Sequence, residues 1–477
     1  MTATAPMTRH TRRPPALRET LRERYAAQHR RRALARDGLY IAAWLVVAIP
    51  LGFWLASGGL QTMTGSGAGL LQGAGILSGL AATSAMIIML WLSARVGFID
   101  RTIGHDRALE IHKSLGQWTF GGLLLHGGYL IVGYAMADRL SLVDEFVSLW
   151  GVGDFVFAVV AIGLLALVAV SSIVSAQRSL GHEVWHAIHL TTYAAILLAL
   201  PHQFSMGALF SAGPARWSWL GLWAATLFVM LAWRVFLPLF ASLEHRVRVA
   251  SVTWETHDTV SIDLTGRNIA KLGAQAGQFF HWRFLQPGLW WHQHPFSLSM
   301  APQGDHLRVT VRALGKGTHR LATTLKPGTR VMFEGPYGIF SESARTAPDV
   351  VLVGFGIGVA PVRALLEETG FEPGHATVII RASSDAEVAH LKELRAWCQA
   401  RGAALRVITG HRGRDADGTA SWLPARYCHL TLADLAGPLD EADVYLCGPE
   451  SATTAVVAEA KRAGVAEHRI HHEAFAW

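Results

Sequence analysis

Apolar residues are concentrated in the first half of the chain, where they form six runs. These runs lie near residues 39–57, 74–94, 112–135, 153–174, 185–207 and 217–240. Each run is long enough to cross a bilayer as a helix, which takes about 20 residues. The pattern therefore predicts an all-α, six-helix membrane bundle over residues 39–240.

After about residue 243 the chain changes to short apolar or alternating runs that are separated by glycine and proline. Runs such as VSIDLTG, GQFFHWRFL and HLRVTVRAL predict an antiparallel β-barrel over residues 244–345. Further on, apolar runs alternate with helical patterns, as in VVLVGFGIG, PVRALLEETG and ATVIIRAS. This alternation favours an α/β domain with a parallel sheet over residues 346–477.

Positive charge is concentrated in the first 38 residues. They contain ten arginines, no lysine and three acids, so this segment alone carries +7, the formal net charge of the whole chain. Because it directly precedes the first apolar run, it favours contact with anionic lipid over nucleic acid, and it is too long for a cleavable signal peptide. With the basic connections after the second and fourth runs, it indicates a multi-pass inner-membrane protein whose N-terminus and polar half are cytoplasmic.

The three cysteines have none of the spacings that bind zinc or a plant-type iron–sulfur cluster. They are Cys398, Cys428 and Cys447, all in the polar half. We therefore expect no iron–sulfur cluster, and the thiols suit a reducing cytosolic compartment.

Two pairs of histidines lie in the third and fifth apolar runs. His112 and His126 are fourteen residues apart, and His189 and His202 are thirteen apart, about 20 Å along a helix in each case. Both runs cross in the same direction, so His112 and His189 share the cytoplasmic depth and the other two the outer depth. Two bis-histidine haems account for all four residues. The alternative is that they only form hydrogen bonds between helices.

Glycine-rich turns follow several strands of the polar half. HPFSLS starts at His294 and is followed by VRALGKGTHRL with Gly315 and Thr318. The glycine-rich turn beside a hydroxyl suits a bound pyrophosphate, although an ordinary barrel turn is the alternative. The apolar strand VVLVGFGIG runs into a GxGxxP turn with Gly356, Gly358 and Pro361, the strand–turn–helix context of a dinucleotide phosphate loop. VYLCGPES places Cys447 at a strand end, where it is either a cofactor contact or a small buried hydrophobe.

Together, HPFS, GPYG, GxGxxP, CGP and the terminal HHEAFAW resemble the ferredoxin–NADP reductase superfamily. Joined to a membrane bundle with paired histidines, they resemble the bacterial form of the ferric reductase/NADPH oxidase group over residues 39–477. The resemblance implies FAD, two b haems and NADPH as cofactors. For the flavin, it implies a strand of His294, Pro295, Phe296 and Ser297 and a pyrophosphate turn at Gly315 and Thr318. For the nicotinamide dinucleotide, it implies a phosphate loop at Gly356, Gly358 and Pro361 and a nicotinamide contact at Cys447, Gly448 and Pro449. It also implies that the aromatic ring of Phe475 covers the flavin, with Trp477 as the alternative ring.

The second strand of the parallel sheet ends in IIRASSD, where Arg381 and Ser383 offer a cation and a hydroxyl for a 2′-phosphate. This composition favours NADPH over NADH, and Arg412 is a further candidate cation.

The implied activity is a transmembrane electron transfer that starts from cytosolic NADPH and passes through FAD and the two haems, with catalytic roles for Ser297, Cys447 and Phe475. Oxygen, a ferric chelate and a periplasmic partner protein all remain open as acceptors. A haem-binding membrane cytochrome or redox sensor is the alternative from another class.

Overall fold

The computed structural model describes residues 15–176, 180, 182–414, 418 and 420–475. The chain divides into two compact units. The membrane unit comprises Ala35–Ile99 and His105–Val235. The sheet unit comprises Asp100–Gly104, the chain from Phe236 onward, and the N-terminal part of the chain as far as Leu34.

Within the described residues, ten α-helices precede the first strand. They are α1 (Pro15–Ala56), α2 (Gly59–Gly65), α3 (Gly67–Ser93), α4 (Gly97–Ile103), α5 (His105–Asp138), α6 (Leu142–Trp150), α7 (Phe155–Ala176), α8 (His182–Ser205), α9 (Gly213–Leu231) and α10 (Leu237–His245). Within the described residues, six stretches are long and apolar enough to cross a membrane: Arg22–Ala56, Gly67–Ser93, Arg107–Asp138, Phe155–Ser175, Glu183–Ser205 and Gly213–His245. The predicted six spans are confirmed, and the first helix begins well inside the basic segment.

Large apolar side chains on these helices point outward. Trp44, Trp118 and Phe228 are 71%, 77% and 67% exposed. Exposed apolar surface of this extent is expected of helices that face lipid, since the bilayer replaces water as the surrounding medium. The chain is therefore a multi-pass membrane protein.

Helices α3 and α5 approach closely because small residues line their contact. A Cβ added at Gly75 of α3 would lie 2.9 Å from Cγ of Leu130, and one added at Gly122 of α5 would lie 3.1 Å from Cβ of Ala82. Gly75 and Gly79 form a GxxxG spacing, the pattern that lets two membrane helices pack backbone to backbone.

The first half of the sheet unit contains two three-stranded antiparallel sheets. One has the order β1 (Arg248–Thr256), β2 (Thr259–Thr265), β5 (His306–Arg312), and the other β4 (His294–Ser297), β3 (Phe279–Phe284), β6 (Val331–Tyr337). Single bridges join Arg248 to Arg330 and Leu298 to Val309 at the sheet edges. The antiparallel strands are confirmed, whereas closure into a barrel stays a prediction, because the sheets do not form one continuous ladder.

The second half contains a five-stranded parallel sheet. Its order is β13 (Ile470–Phe475), β12 (Ala442–Pro449), β7 (Asp349–Phe355), β8 (Ala376–Ala382), β9 (Ala404–Thr409), and all four pairings are parallel. The short strands β10 (Arg412–Arg414) and β11 (Ala420–Pro424) form a separate ribbon. Five helices complete this unit: α11 (Lys316–Thr324), α12 (Val359–Glu368), α13 (Leu391–Arg401), α14 (Leu432–Ala436) and α15 (Glu450–Arg462).

Apolar side chains on both faces of the parallel sheet are buried. On β7, Val350 and Leu352 pack into one core cluster, and Val351 and Val353 pack into the opposite one. Strands that are covered on both faces read as continuous apolar runs, which explains why VVLV lacks alternation. Both halves of the sheet unit fall in one compact unit, so the predicted boundary between residues 345 and 346 stays a prediction.

Candidate functional site

The first histidine pair lies between α5 and α8. The ring centroids of His112 and His189 are 6.2 Å apart, with 58° between the ring planes. Nδ1 of His112 donates a hydrogen bond of 3.3 Å to the carbonyl oxygen of Met89 on α3. A proton fixed on Nδ1 leaves Nε2 with its lone pair, so the backbone of α3 selects the tautomer that can bind a metal.

The second pair repeats this arrangement fourteen residues further along α5. Nδ1 of His126 donates to the carbonyl oxygen of Gly75 at 2.8 Å. A Cβ at Gly79 would lie 2.5 Å from Nδ1 of His126, so the absence of a side chain makes the space for this ring. His202 lies near the end of α8, the helix that also carries His189.

The spacing of the first histidine pair fits two imidazoles that bind one haem iron. A metal–imidazole bond of about 2 Å on each side, with each ring centre about 1 Å beyond its nitrogen, separates two axial ring centres by about 6 Å, and the first pair is 6.2 Å apart. Among the described residues, the buried Nδ1 atoms of His189 and His202 have no hydrogen-bond partner. The donor set and the anchored tautomers suit an iron porphyrin held by two imidazoles.

The HPFS motif forms strand β4 beside β3. The rings of His294 and Phe296 stack 5.3 Å apart with 4° between their planes. Nε2 of His294 is buried and has no hydrogen-bond partner within the part of the chain that the structure describes. Burial, with a smaller effect of neighbouring His292, lowers the pKa of His294 to about 4. The ring is therefore neutral at pH 7 and offers a hydrogen bond to a planar polar ligand such as flavin.

The turn that follows β5 is capped by its own hydroxyl residue. The Gly315 N–H donates to Oγ1 of Thr318 at 3.1 Å at the start of α11, and both groups are exposed. Free backbone N–H groups at a helix N-terminus attract phosphate, so the turn has the chemistry that a pyrophosphate requires.

Three strands of the parallel sheet and strand β4 bring Ser297, Cys447 and Glu473 together. Cys447 on β12 pairs in register with Gly354 on β7 and with Glu473 on β13. Oγ of Ser297 donates to Oε1 of Glu473 at 3.4 Å. The Ser297 hydroxyl and the Glu473 carboxylate therefore meet at the carboxyl edge of the sheet, on the strand beside the fully buried Cys447, where ligands of such sheets bind.

The GxGxxP loop lies against the same strand ends. Gly356 has a φ of +55°, and a Cβ at Gly358 would lie 2.1 Å from the carbonyl oxygen of Cys447. Pro361 is buried in the first turn of α12, where a missing N–H costs no hydrogen bond. The backbone of the loop therefore approaches β12 at Cys447, Gly448 and Pro449.

Arg381 is placed differently from the role that the resemblance implies. Its guanidinium is buried and donates to three backbone carbonyls, those of Trp422 at 3.1 Å, Gly410 at 2.6 Å and Ala382. Burial, with a smaller contribution from Arg412, lowers the pKa of Arg381. Because its guanidinium donors bond to these carbonyls, Arg381 connects the ends of neighbouring strands in this structure.

Arg412 is the neighbouring cation with an outward position. It is exposed, and its Nη1 donates to Oγ of Ser451 at 3.0 Å. Ser451 lines an open pocket of about 520 Å³ between β11 and α15. Ser383 is exposed at the end of β8, and its carbonyl accepts from the Gly410 N–H at 3.0 Å.

The C-terminal aromatic residues are only partly described. The backbone of Phe475 pairs in register with Pro449. The Phe475 side chain and the whole of Trp477 lie outside the described residues, so the predicted flavin cover stays a prediction.

A buried polar network links the two halves of the sheet unit. Nδ1 of His390 lies 3.5 Å from Glu255 and 3.4 Å from Glu393, a set that could hold a metal ion. The Glu393 carboxylate, however, already accepts two bonds of 2.8 and 2.9 Å from Arg308 and pairs with Arg363 at 2.7 Å. Because two guanidinium groups neutralise this carboxylate, the cluster is an ionic network rather than a cation site.

Sequence reasoning missed two residues of these sites. Glu473 stands within the quoted HHEAF motif, and its place beside Cys447 follows from the order of the last two strands. Gly79 is signalled by the GxxxG spacing, but that spacing does not show that a histidine ring fills the gap.

The geometry agrees with matches to known families. Residues 78–200 match the family described as "Ferric reductase like transmembrane component", which includes three of the four paired histidines and ends two residues before His202. Residues 244–341 match the family described as "FAD-binding domain", which includes HPFS and the Gly315 turn.

Each similar protein matches less than half of the chain. A flavohemoprotein of Vibrio cholerae is 28% identical over 221 residues, which are 43% of this chain and 52% of the relative. NADPH oxidase 1 of Mus musculus is 36% identical over 83 residues, 17% of this chain and 14% of the relative. The crystal structure of the FAD/NAD-binding domain of a nitric oxide dioxygenase from Vibrio cholerae is 26% identical, with a TM-score of 0.40, and the match covers 49% of this chain and 99% of that one.

The chain spans about half the length of the flavohemoproteins that it matches. The matched families occur in one order, with the membrane component first and the FAD-binding domain second. The chain therefore combines a segment similar to ferric reductase-like transmembrane components with a segment similar to FAD-binding domains.

Proposed function

We propose that the chain is a transmembrane NAD(P)H-dependent oxidoreductase. It takes electrons from cytoplasmic NADPH and delivers them to an acceptor on the outer side of the bacterial inner membrane, with FAD and two b haems as resident cofactors. The basic connections and the basic N-terminal segment support this orientation, since positive residues are enriched on the cytoplasmic side.

The observation that carries the proposal is the pairing of His112 with His189 inside the membrane unit. Imidazoles in a bilayer are costly, and they persist where they bind a partner. Two rings 6.2 Å apart, one of them with its Nδ1 hydrogen fixed by Met89, leave a space suited to a metal between ring nitrogens.

When bound, the nicotinamide supplies a hydride, the flavin releases electrons singly and a bis-histidine haem carries one electron at a time. The protein supplies position and environment. His112 and His126 are held by the carbonyl oxygens of Met89 and Gly75, so their rings have little freedom to rotate. This fixes the distances over which electrons pass.

At the sheet edge, the side chains of Ser297 and Glu473 form the wall opposite Cys447. The Ser297 hydroxyl is a hydrogen-bond donor, and the Glu473 carboxylate accepts from it. Cys447 is fully buried, so its side chain fills this corner of the site. We assign these three residues to positioning and shielding of the nicotinamide ring against the flavin.

The preference for NADPH is assigned chiefly to Arg412. Its guanidinium is exposed, bonds to Ser451 and lies beside an open pocket. A charge-assisted bond to a 2′-phosphate suits this position, whereas the Arg381 guanidinium is committed to carbonyl groups.

The test is an anaerobic titration of purified full-length protein with NADPH, followed by absorption spectroscopy. Haem bands that shift to the reduced form through bound flavin support the proposal. Haem that stays oxidised while the flavin is reduced supports a cytochrome or sensor, and a colourless preparation from haem-replete cells contradicts haem binding.

The acceptor is identified by comparing NADPH consumption with oxygen and with ferric citrate. Sensitivity of a superoxide-dependent signal to superoxide dismutase indicates oxygen reduction. Formation of ferrous iron that is insensitive to this enzyme and persists without oxygen indicates ferric reduction.

A further inference from the structure

The basic N-terminal segment contacts the sheet unit through one face of α1. Arg22, Tyr25, His29 and Arg32 are spaced by three, four and three residues, so they lie on one side of the helix. The exposed Arg30 and Arg31 lie on other faces of the same turns.

Tyr25 is the centre of this face. It is only 3% exposed, and the guanidinium of Arg345 lies 5.7 Å from the centroid of its ring. Arg345 is itself fully buried and donates to the carbonyl oxygen of Ala347 at 2.8 Å. An aromatic ring over a desolvated guanidinium is a strong form of cation–π contact.

Polar contacts flank the tyrosine on both sides. Arg22 pairs with Glu441, and Nη2 of Arg32 donates to Oγ of Ser343 at 3.4 Å. The ring centroids of His29 and His468 are 5.0 Å apart. The surface of the sheet unit that contacts α1 therefore has acidic and hydroxyl groups where the helix offers cations. We call it the receiving surface.

The receiving surface includes the link between the two halves of the sheet unit, residues 341–348. Asp443 at the start of β12 fixes this link by accepting from the Thr346 N–H at 2.8 Å. The same carboxylate also pairs with His471 at 2.8 Å. All of these groups lie where β7, β12 and β13 begin, at the sheet edge opposite Cys447, so a segment bound here leaves the nucleotide edge open.

We infer that residues 22–32 are an intramolecular docking segment, whose partner is this link surface, and not primarily a lipid anchor. Lipid headgroups would attract every arginine of the segment about equally, because surface attraction depends on charge and distance. The structure instead uses particular positions, with a buried tyrosine between two anchored arginines. The segment packs against residues 341–348, and its helix continues to Ala56.

Hydrogen–deuterium exchange on the full-length protein in nanodiscs tests this docking. Tyr25→Ala removes the buried ring, and we expect exchange of residues 22–32 and 341–348 to rise together by on the order of tenfold or more. The matched control is Arg30→Ala, which removes a charge from the same helix and leaves exchange unchanged. The exchange measurement needs no electron transfer, so the docking stands or falls independently of the proposed function.

Two further arms separate docking from lipid binding. In nanodiscs of phosphatidylcholine alone, protection of residues 22–32 persists if the protein surface is the partner. Protection that requires phosphatidylglycerol, or an Arg30→Ala effect equal to that of Tyr25→Ala, overturns the inference. In a charge swap, Arg22→Glu and Glu441→Arg each raise hydrogen–deuterium exchange of residues 22–32, and the double variant restores part of the protection. Equal loss of protection in the two single variants and the double variant also counts against docking.

Discussion

The membrane unit and the sheet unit hold their functional side chains by different forces. In the membrane unit, His112 and His126 are fixed by backbone carbonyls of a neighbouring helix and by the space that Gly79 leaves. In the sheet unit, Arg308 and Arg363 bracket the carboxylate of Glu393. A charge is costly within a bilayer, so the membrane site depends on shape, whereas the sheet unit can use ion pairs.

This difference gives opposite sensitivities. Haem binding in the membrane unit should weaken when a single methyl group is added beside a histidine ring. Activity and stability of the sheet unit should change most when a charge is removed without a change of shape.

Replacing His126 with alanine should have the largest effect. One of the two proposed haem sites loses an axial ligand, so we expect about half of the haem absorbance to disappear and acceptor reduction to fall at least 100-fold. Reduction of the flavin by NADPH should remain. Stopped-flow absorption separates the two steps. His186→Ala, an exposed histidine on the same helix as His202, is the control and should retain both haems.

Gly79→Ala tests the role of shape. The new Cβ would lie 2.5 Å from Nδ1 of His126, so the ring must move and its bond to the Gly75 carbonyl weakens. We expect weakened haem binding and acceptor reduction lowered by about tenfold or more, since outer ligand contacts typically contribute 10–100-fold.

Gly127→Ala is the matched control, because a Cβ there meets no atom within 4 Å. It should bind haem normally and gain slight helix stability, up to about 1 kcal/mol. Equal haem loss in both variants would show that the close approach at Gly79 is unimportant.

Glu473→Gln tests the role of charge at the sheet edge. The change keeps the shape but removes the carboxylate that accepts from Ser297. We expect flavin reduction by NADPH to slow by about 10–100-fold, because misplacement of a reacting ring has effects of that size. Stopped-flow measurement at 450 nm, about the flavin maximum, follows the step, and the exposed Glu467→Gln is the control. A normal rate would remove Glu473 from the site.

Sequence patterns predicted most of the architecture because each rests on local periodicity. Six apolar runs predicted the spans, and the histidine spacings predicted that His112 lies near His189. The strand–turn–helix order likewise gave the parallel sheet. These features depend on neighbours within one element, so a single sequence contains them.

Contacts between distant segments were not predictable. Arg381 was assigned to a phosphate from its place at a strand end, but the direction of its side chain depends on the carbonyls of Trp422 and Gly410. The bond from His126 to Gly75 has no signal, since every residue carries a carbonyl. The charge of the basic segment likewise carries no signal that Tyr25 is buried against Arg345, and its contact with lipid stays a prediction.

Arg412→Ala should weaken NADPH binding while leaving NADH unaffected. Loss of one charge-assisted hydrogen bond costs about 1.5–3 kcal/mol, so the KM for NADPH should rise by about 10–100-fold. Steady-state kinetics with both nucleotides measure the ratio. Arg395→Ala removes an exposed arginine from α13 and should change neither KM. Equal losses with NADPH and NADH would indicate that Arg412 serves the fold rather than the 2′-phosphate.

The smallest effect concerns the ionic network and its pH dependence. Burial alone would raise the pKa of Glu393, but hydrogen bonds from His390 and Arg308 and the charges of Arg308 and Arg363 together hold this pKa well below its usual range. The stabilisation that the ionised Glu393 gives to the folded state is therefore complete above the ordinary glutamate pKa of about 4.3. It is lost as the pH falls through the lower pKa of the folded state.

Glu393→Gln should lower the free energy of unfolding at pH 7 by about 1 kcal/mol, because solvent reaches 35% of the side chain and screens the pairs. Thermal unfolding of the full-length protein in detergent, followed by release of flavin fluorescence, measures this at several pH values. The gap between variant and parent should narrow as the pH drops below about 4, and Glu467→Gln should show no gap. A gap that stays constant with pH would mean that packing, rather than charge, holds the two halves of the sheet unit together, and the contrast with the membrane unit would then be lost.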